Sequence, residues 1–309
     1  MKILVAGELN ADAVFVGLSS LPRLGHEVLA EDFSLELGSS SAICAAGLAK
    51  LGNEVGFVTR VGADMLGRFC LDRLKLLGVD ASAAIIDPAL KTGITAAIST
   101  TDRALVTYPG TISELAAADI PPELLRCYQH VHVSSYFLQN ALRPGLHELF
   151  ATAKRLGLST SLDPGADPTD TWCADVHDLL ENVDIFLPNE VELTALTGGV
   201  GIEDGLRALE NGRTLTVAKL NKKGCAVLKP DGLLTVPAIP VVPVDTTGAG
   251  DSFNAGFLHA RLHGKSLEEC LRCGIVCGGL STQSPGGVAG QPDWNTVQAY
   301  LEIAGMDRL

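Results

Sequence analysis

The sequence predicts an α/β fold in which helices cover both faces of a mostly parallel sheet. Short apolar runs of strand length recur along the chain with helical stretches between them, and parallel strands are joined by such crossover helices. Six runs carry the prediction: Ile3–Ala6, Val55–Thr59, Val131–Ser134, Ser159–Asp163, Ile185–Leu187 and Leu215–Lys219. Because ligands bind beyond the carboxyl ends of the strands in such sheets, we expect the functional site at that edge.

Two segments, about 12–37 and 79–107, interrupt this alternation. In the second, the β-like pieces Thr92–Ser99 and Ala104–Thr107 follow one another without a helix between them. We expect the two segments to form an antiparallel flap over the strand ends, which would act as a lid or as a dimer surface. No repeat and no Pro/Ser-rich linker divides the chain, so residues 1–309 are predicted to form one domain.

Composition limits the classes of partner. With 309 residues, of which 47% are hydrophobic, the chain is large enough to bury one sizeable core. Its formal net charge of -13 argues against nucleic acid or an anionic membrane as a partner, since both require a basic surface. The apolar run at the N-terminus is interrupted by Glu8 and Asp12, too early for a secretion signal, and no run reaches the ~20 apolar residues of a membrane span. We therefore expect a cytoplasmic protein.

The stretch from Gly248 to Asp251 carries the strongest chemical signal. Gly248, Ala249 and Gly250 stand immediately before an apolar helical stretch, where N–H groups without intrahelical partners bind anions. Asp251 falls in the first helical turn, so its carboxylate could accept the proton of a hydroxyl that attacks a phosphate bound there. The alternative is a glycine-rich turn with an acidic residue that only complements the helix dipole.

Two other nucleotide-binding motifs do not match. The nearest match to a P-loop begins at His259, where the motif requires glycine, and it follows a helix and not a strand. After the first predicted strand the chain reads Gly7-Glu8-Leu9-Asn10 and not the G-x-G-x-x-G of dinucleotide-binding proteins. Neither a P-loop NTPase nor an NAD-dependent enzyme is therefore expected.

The longer string from Asp245 to Gly256 reads D-T-T-G-A-G-D-S-F-N-A-G. It resembles the C-terminal signature of the ribokinase-like (PfkB-type) carbohydrate kinases, and other segments along nearly the whole chain resemble further motifs of that family in the same order. The resemblance implies a ribokinase-like three-layer sandwich with a central, mostly parallel sheet and a small β lid. It also implies an ATP-dependent kinase that uses Mg²⁺ and phosphorylates a hydroxymethyl group of a pentose or hexose, with Asp251 as general base.

Several positions match the family's sugar-binding motifs. Asn10-Ala11-Asp12 resembles an N-x-D motif whose Asp holds sugar hydroxyls, a role that suits a carboxylate because it can accept hydrogen bonds from two vicinal hydroxyls. The alternative is an Asp that only caps a turn at the strand end. Gln139, which follows the third apolar run, is a second candidate sugar ligand.

The family's N-terminal signature, G-G-x-x-A-N, matches imperfectly. Gly38 stands at its first glycine, Ser39 at its second, and Ile43 at the asparagine that contacts the sugar in the family. Either the substrate therefore has an apolar feature at Ile43, or another side chain supplies the missing contact. A nucleoside, whose base could rest on apolar groups, is the alternative substrate class.

The residues expected at the nucleotide follow the last two predicted strands. Asn189 stands after the fifth apolar run, at a position that resembles the family's N-x-x-E motif. Lys219 ends the sixth run and could meet a phosphate, and Asn221 and Gly224 lie in the following turn, which touches the nucleotide in the family. Together with Gly250 they are the predicted nucleotide-binding residues.

Two acidic residues are candidates for cation binding. Glu192, the acidic residue of the N-x-x-E motif, would hold Mg²⁺ through water, because Mg²⁺ keeps much of its hydration shell. The alternative, an acidic residue that only favours a helix start, explains Glu190 better than Glu192. In many relatives the Asp that corresponds to Asp245 holds a monovalent cation together with a late glycine-rich loop. The loop here, residues 286–290, lacks the hydroxyl often found there, so K⁺ activation is an open alternative.

Three hypotheses for function stay open. A sugar kinase accounts for the intact Gly248, Gly250 and Asp251, and a nucleoside kinase of the same fold is the alternative within the class. The alternative from another class is a sensor that binds sugar or nucleotide without turnover, which would be stabilised by ligand without forming ADP. The expected partners are the small-molecule acceptor and ATP, with a homodimer through the lid as a further expectation.

Overall fold

The computed structural model describes residues 1–99, 103–172, 175–199 and 201–303. The strands in this part are β1 (Lys2–Ala6), β2 (Asn10–Val16), β3 (Asp32–Leu37), β4 (Glu54–Val58), β5 (Arg60–Gly62), β6 (Val79–Asp80), β7 (Ile85–Asp87), β8 (Gly93–Ser99), β9 (Arg103–Tyr108), β10 (His130–Val133), β11 (Ser159–Leu162), β12 (Ile185–Phe186), β13 (Leu215–Lys219), β14 (Cys225–Lys229) and β15 (Gly232–Val236). The α-helices are α1 (Ser40–Lys50), α2 (Met65–Leu76), α3 (Pro122–Leu125), α4 (Arg143–Arg155), α5 (Asp175–Leu179), α6 (Glu190–Leu196), α7 (Ile202–Ala208), α8 (Ala249–Leu262), α9 (Leu267–Ser281) and α10 (Trp294–Ile303). The 3₁₀ helices are Gly110–Ser113, Ala117–Asp119, Tyr136–Leu138, Leu180–Asn182 and Asn221–Lys223.

The large sheet confirms the predicted parallel architecture. Its strand order is β15-β14-β13-β12-β11-β10-β1-β4-β6. Every neighbouring pair from β13 to β6 is parallel, whereas β14 and β15 add antiparallel strands at the other edge. The six predicted strands are consecutive neighbours in this sheet, and each lies within one residue of its predicted bounds. Their carboxyl ends therefore meet at one edge.

Helices cover both faces of the large sheet and give three layers. Successive side chains of a strand point to opposite faces. Ile3 and Val5 of β1 accordingly pack in one apolar cluster with α1, α8 and α9, whereas Leu4 and Ala6 pack in a second cluster with α4 and α6. None of the helices in the described ranges combines the length and the apolar composition that crossing a membrane demands.

The predicted flap is a four-stranded sheet, called here the small sheet, with the order β3-β2-β8-β9. The prediction that it is antiparallel throughout is wrong at its centre, because β2 and β8 pair in parallel while the outer pairs are antiparallel. The long connection through α1 and α2 separates β2 from β8, and a long crossover is what a parallel pair requires. At one end β3 leads directly into α1, so the small sheet joins the large one beside the strand ends.

The second predicted flap segment, about 79–107, begins too early. Val79–Asp80 pairs with β4 and extends the large sheet, and Ile85–Asp87 pairs with β5 in a separate two-stranded sheet. Only from Gly93 does this segment enter the small sheet. Residues 100–102, which were also expected in the flap, lie outside the described residues.

Candidate active site

The N-terminus of α8 has the geometry of an anion-binding turn. Gly248 precedes the helix in the left-handed conformation, with a φ of 71°. A methyl group there would lie 2.9 Å from Gly287 Cα, so the position requires glycine. The N–H of Ala249 makes only a long hydrogen bond, of 3.3 Å, to a carbonyl three residues earlier. Gly250 and Asp251 lie in the first turn, where N–H groups have no intrahelical acceptor and the helix dipole is positive. An anion bound there would meet several N–H donors.

Asp251 lies in this first turn and is partly exposed. Burial, together with the negative charges of Asp163 and, more weakly, Glu8, raises the pKa of its carboxyl to about 8. The positive charge of Lys219 and a hydrogen bond with the Ser40 side chain oppose that rise. A carboxyl group whose pKa lies near neutral pH can both accept and release a proton, which suits a general base.

A buried network holds Lys219 beside the anion-binding turn. Lys219 Nζ lies 2.5 Å from Asp163 Oδ2 and 3.3 Å from Asn254 Oδ1, and Asn254 Nδ2 donates to Asp163 Oδ2 at 2.5 Å. Burial alone would lower the pKa of Lys219, but the charges of Asp163 and Glu192 outweigh it and raise that pKa. A methyl group at Gly250 would lie 3.6 Å from the ammonium. Lys219 thus lies beside the anion-binding turn, paired with Asp163, and its contact with a phosphate stays a prediction.

Asn189 and Glu192 cap the start of α6 and each other. The Asn189 side chain accepts hydrogen bonds from the N–H groups of Val191 and Glu192, each at 2.9 Å. In return, the Glu192 carboxylate accepts from the backbone N–H of Asn189 at 2.7 Å and from its Nδ2 at 2.6 Å. Burial, together with the charge of Asp163, raises the pKa of Glu192 to about 7. The helix-start role, which sequence reasoning placed at Glu190, therefore belongs to Glu192 as well.

The acidic groups at this edge fit a hydrated Mg²⁺ and not a metal held by the protein alone. In the ranges that the structure describes, no group of three or more His, Cys, Asp or Glu side chains could hold an ion. Burial is the main cause of the raised pKa values of Glu192 and Asp251, and the negative charge of Asp163 adds to it. A divalent cation bound largely by water and phosphate oxygens, with a single carboxylate, would offset that charge.

Asp245 ties the glycine-rich signature to the loop at residues 286–290. Its Oδ1 accepts hydrogen bonds from the N–H of Thr247 at 2.9 Å and from the Thr247 hydroxyl at 2.7 Å. Its Oδ2 accepts from the N–H of Gly286 at 2.9 Å. These contacts fix the turn that precedes Gly248. A monovalent cation at Asp245 stays a prediction.

Asn10, Asp12 and Gly38 meet where the small sheet joins the large one. Asn10 Nδ2 donates to Asp12 Oδ1 at 2.9 Å. A methyl group at Gly38 would overlap that oxygen and would lie 2.5 Å from Asn10 Nδ2. The close approach of backbone to carboxylate therefore requires glycine at position 38. The structure brings these three predicted acceptor residues together, and their contact with a sugar stays a prediction.

The first turn of α1 departs from the family pattern in two places. Ser39 has a φ of 81°, a left-handed conformation that is strained for a residue other than glycine, and its Oγ accepts from the Ala42 N–H at 3.1 Å. Ile43 is only 3% exposed and packs against Gly248 and Gly287, within 2.9 Å of a methyl group placed at Gly248. Because Ile43 is covered by protein, the structure favours the alternative in which another side chain supplies the missing sugar contact.

Gln139, the second candidate sugar ligand, is a buried residue, and its contact with a sugar stays a prediction. Its side chain is fully buried, and its Nε2 donates to Glu8 Oε2 at 3.0 Å and to the carbonyl of Ser134 at 3.1 Å. Glu8, a buried carboxylate at this site, escaped sequence reasoning. A carboxylate directly after an apolar strand, at the edge where ligands bind, was the available signal.

The turn between β13 and β14 holds the last two predicted nucleotide residues. Asn221 is exposed with a φ of 51°, and Lys223 pairs with Glu190 at 2.8 Å, which places the turn beside the start of α6. Gly224 has a φ of 101°, and a methyl group there would overlap the carbonyl of Val236. The backbone conformation and the lack of space explain why position 224 is a glycine. Contact of Asn221 or Gly224 with the nucleotide stays a prediction.

The chain matches the model of the pfkB family of carbohydrate kinases over residues 1–294. It is 32% identical to an uncharacterized sugar kinase of Archaeoglobus fulgidus, over 80% of this chain and 98% of that protein. It is 31% identical to the 2-dehydro-3-deoxygluconokinase of Bacillus subtilis, over 89% of each chain, and 30% identical to the ribokinase of Arabidopsis thaliana, over 98% of this chain and 81% of that protein.

Solved structures show the same fold. The ribokinase of Arabidopsis thaliana in complex with ribose and ATP superposes with a TM-score of 0.83 at 28% identity, covering 97% of this chain and 98% of that chain. A candidate ribokinase II from E. coli in complex with ATP and Mg²⁺ superposes with a TM-score of 0.85 at 21% identity, covering 98% of this chain and 99% of that chain.

Proposed function

Since the chain belongs to the pfkB family of carbohydrate kinases and is a sugar kinase, we propose that it transfers the γ-phosphoryl group of ATP to a hydroxymethyl group of a pentose or hexose. One observation carries this proposal. Asp251, whose pKa is raised to about 8, lies in the same first helical turn as N–H groups that have no intrahelical acceptor and could donate to the transferred phosphoryl. The proposed base and the N–H groups that would stabilise the phosphoryl charge therefore lie in the same turn.

In this mechanism Asp251 takes the proton of the attacking hydroxyl. The N–H groups of Ala249 and Gly250 donate to the phosphoryl oxygens as their charge redistributes, and they need no reorganisation because Gly248 and the helix fix them. Phosphoryl transfer demands positioning and charge stabilisation more than covalent help from the protein. The small sheet, acting as a lid, would exclude water as a competing acceptor.

On the nucleotide side, we assign phosphate contact to Lys219 and Gly250, and contacts with the rest of the nucleotide to Asn189, Asn221 and Gly224. Mg²⁺, held through water by Glu192, supplies neutralisation of the phosphate charge when it is bound. A methyl group placed at Gly250 would lie 3.6 Å from the ammonium group of Lys219. Lys219 therefore lies beside the anion-binding turn, which supports the assignment of a phosphate contact to it. K⁺ at Asp245 is an optional activator in this scheme.

On the acceptor side, Asp12 and Asn10 hold sugar hydroxyls beside Gly38 and Ser39. The names of the relatives, ribokinase and 2-dehydro-3-deoxygluconokinase, support a sugar or a sugar acid as acceptor. The nucleoside alternative rested on an apolar contact at Ile43, and the burial of that side chain against Gly248 and Gly287 counts against it.

The test is ADP release from Mg-ATP with D-ribose, D-fructose, 2-dehydro-3-deoxygluconate and adenosine as acceptors. A sugar kinase forms ADP with at least one of the three sugars and not with adenosine. A sensor would instead be stabilised against thermal unfolding by a ligand without forming ADP with any of them. That second result would overturn the proposed function.

The small sheet also supports a homodimer. Its large apolar side chains are exposed to an unusual extent, namely Phe33 (53%), Leu105 (58%), Val106 (65%) and Tyr108 (50%). Pairing of two such sheets would cover them. Sedimentation velocity should give a dimer for the wild type and a monomer for Val106→Lys, and a wild-type monomer would contradict this assignment.

A cytoplasmic location also stays a proposal, which cell fractionation would test.

A further inference from the structure

Glu8 is a buried carboxylate that joins three separate elements at the acceptor side. It follows β1 and is 2% exposed. Its Oε2 accepts hydrogen bonds from the Ser41 hydroxyl at 2.6 Å and from Gln139 Nε2 at 3.0 Å, and its Oε1 accepts from the Ser41 N–H at 3.2 Å. The carboxylate thus links the end of β1, the first turn of α1 and the segment that follows β10.

The backbone of the same residue holds the preceding turn. The Ser39 hydroxyl donates to the carbonyl of Glu8 at 2.5 Å, so Glu8 binds Ser39 through its main chain and Ser41 through its side chain. Ser39 carries the strained φ of 81°. Such a conformation persists only where the surroundings over-determine it, and Glu8 accepts hydrogen bonds from Ser39 itself and from Ser41, two residues later.

The turn that Glu8 holds lies between Asp12, the proposed ligand of the acceptor, and Asp251, the proposed base. Ser40 lies between the two bonded serines, close enough to Asp251 for its side chain to lower the pKa of that carboxyl group. At the near end, Gly38 lies against Asp12. A shift of this turn would therefore move the acceptor relative to Asp251, and small misplacements of reacting groups cost large factors in rate.

We propose that Glu8 is a positioning residue for the acceptor: through Ser39, Ser41 and Gln139 it fixes the turn that forms the acceptor side of the site. This proposal rests on the proposed function.

The hydrogen bonds at Glu8 allow the proposal to be tested by replacing a single atom, one oxygen of its carboxylate. Glu8 receives three donors, and a carboxylate is an acceptor at both oxygens. Glu8→Gln keeps the shape but replaces one carboxylate oxygen by an amide donor, so at least one of the three hydrogen bonds is lost or has to reverse its direction. A buried donor left without an acceptor destabilises the turn that contains it. Ser41→Ala removes one hydroxyl donor only and should give the same effect in weaker form.

The experiment compares both variants with a matched control, Asn53→Ala. Asn53 is also a buried polar residue, and its Nδ2 donates to the Leu48 carbonyl at 2.8 Å at the far end of α1. Steady-state kinetics would use D-ribose, D-fructose and 2-dehydro-3-deoxygluconate. In Glu8→Gln we expect the KM for the sugar to rise about tenfold or more, while the KM for ATP changes less than about twofold. Equal changes in both KM values, or the same pattern in Asn53→Ala, would overturn the proposal.

Amide hydrogen exchange of the ligand-free protein gives a second readout that needs no acceptor. The backbone N–H of Ser41 should exchange faster in Glu8→Gln than in the wild type or in Asn53→Ala, because its acceptor is disturbed. Unchanged exchange there would overturn the proposal even if kinetics could not be measured. If no sugar is phosphorylated by the wild type, the proposed function fails, and the exchange result still decides the role of Glu8. Should Glu8→Gln not fold, Ser41→Ala decides both readouts.

Discussion

The phosphate side and the acceptor side of the site are built by different means. At the phosphate side, the N-terminus of α8 offers backbone N–H groups, and position 248 requires glycine because its φ is 71° and because a methyl group there would lie 2.9 Å from Gly287 Cα. At the acceptor side, side chains provide the proposed contacts with the sugar. Ser39 and Ile43 stand there at positions where the family has glycine and asparagine. A backbone site tolerates little change in sequence, whereas a side-chain site can be rebuilt around other residues such as Glu8.

The difference implies that activity and specificity are separable in this protein. Changes at α8 should abolish or weaken phosphoryl transfer for every acceptor, because all acceptors share the same phosphoryl group. Changes around α1 should alter the binding of the acceptor and leave ATP binding nearly unaffected. The predictions below test this separation, beginning with the largest effect.

Asp251→Asn should lower kcat by about 10²–10⁴-fold with every acceptor, since an amide cannot take the proton of the hydroxyl. The melting temperature should not fall. The folded state raises the pKa of Asp251 above its unfolded value, so at neutral pH the charged form opposes folding and its removal does not destabilise. The control is Asp204→Asn, an exposed aspartate in the first turn of α7. A kcat within threefold of the wild type would contradict the assignment.

Two glycine variants separate backbone conformation from phosphate contact. In Gly250→Ala the new methyl group finds only Lys219 nearby, at 3.6 Å, so folding should be unaffected while the KM for ATP rises about tenfold. In Gly248→Ala the positive φ and the contacts of 2.9 Å should destabilise the fold by about 1 kcal/mol or more. Thermal unfolding and ATP kinetics measure both. Wild-type ATP binding by Gly250→Ala would show that this turn does not hold the phosphate.

The pH profile should report the base. Because Asp251 must be ionised, kcat/KM for the acceptor should rise about tenfold per pH unit below about pH 8 and level off above it. Glu8 contributes to the raised pKa, so Glu8→Gln should move the midpoint to lower pH. A wild-type profile that is flat between pH 6 and 8 would contradict the raised pKa.

Ile43→Asn should have the smallest effect on specificity. Restoring the family's asparagine should not improve the KM for D-ribose, because the side chain at position 43 is covered by Gly248 and Gly287. Stability should fall by about 1–3 kcal/mol, since a buried amide replaces an apolar side chain. Ile43→Val is the control for lost volume. A clear gain of ribose phosphorylation would show that this position faces the sugar.

Much of the fold could be predicted from the sequence because periodic apolar runs report strands directly. The six central strands were found in this way, whereas β14 and β15 were not. Lys229-Pro230-Asp231-Gly232, between them, is a turn signal that would have indicated a hairpin. The parallel pairing of β2 with β8 depends on contacts between distant segments, which no local pattern contains.

In the candidate site, the sequence predicted Asp251 and Lys219, which the structure brings close together, and it paired Asn189 with Glu192, which hydrogen-bond to each other. The roles of all four residues stay predictions. Sequence reasoning missed Glu8. It also missed Asp163 and Asn254, which hold Lys219 in place. Motifs indicate which residue types lie near a substrate, whereas charge pairing across strands appears only in three dimensions. The burial of Gln139 shows the same limit, because its place after a strand did not reveal which way its side chain points.

The most direct test of the central claim is ³¹P NMR of the product formed from Mg-ATP and the best sugar acceptor. The account predicts one phosphate ester on the terminal hydroxymethyl group, formed in equal amount with ADP, and its loss in Asp251→Asn. ADP formation without a phosphorylated sugar, or a product formed equally well by Asp251→Asn, would contradict it.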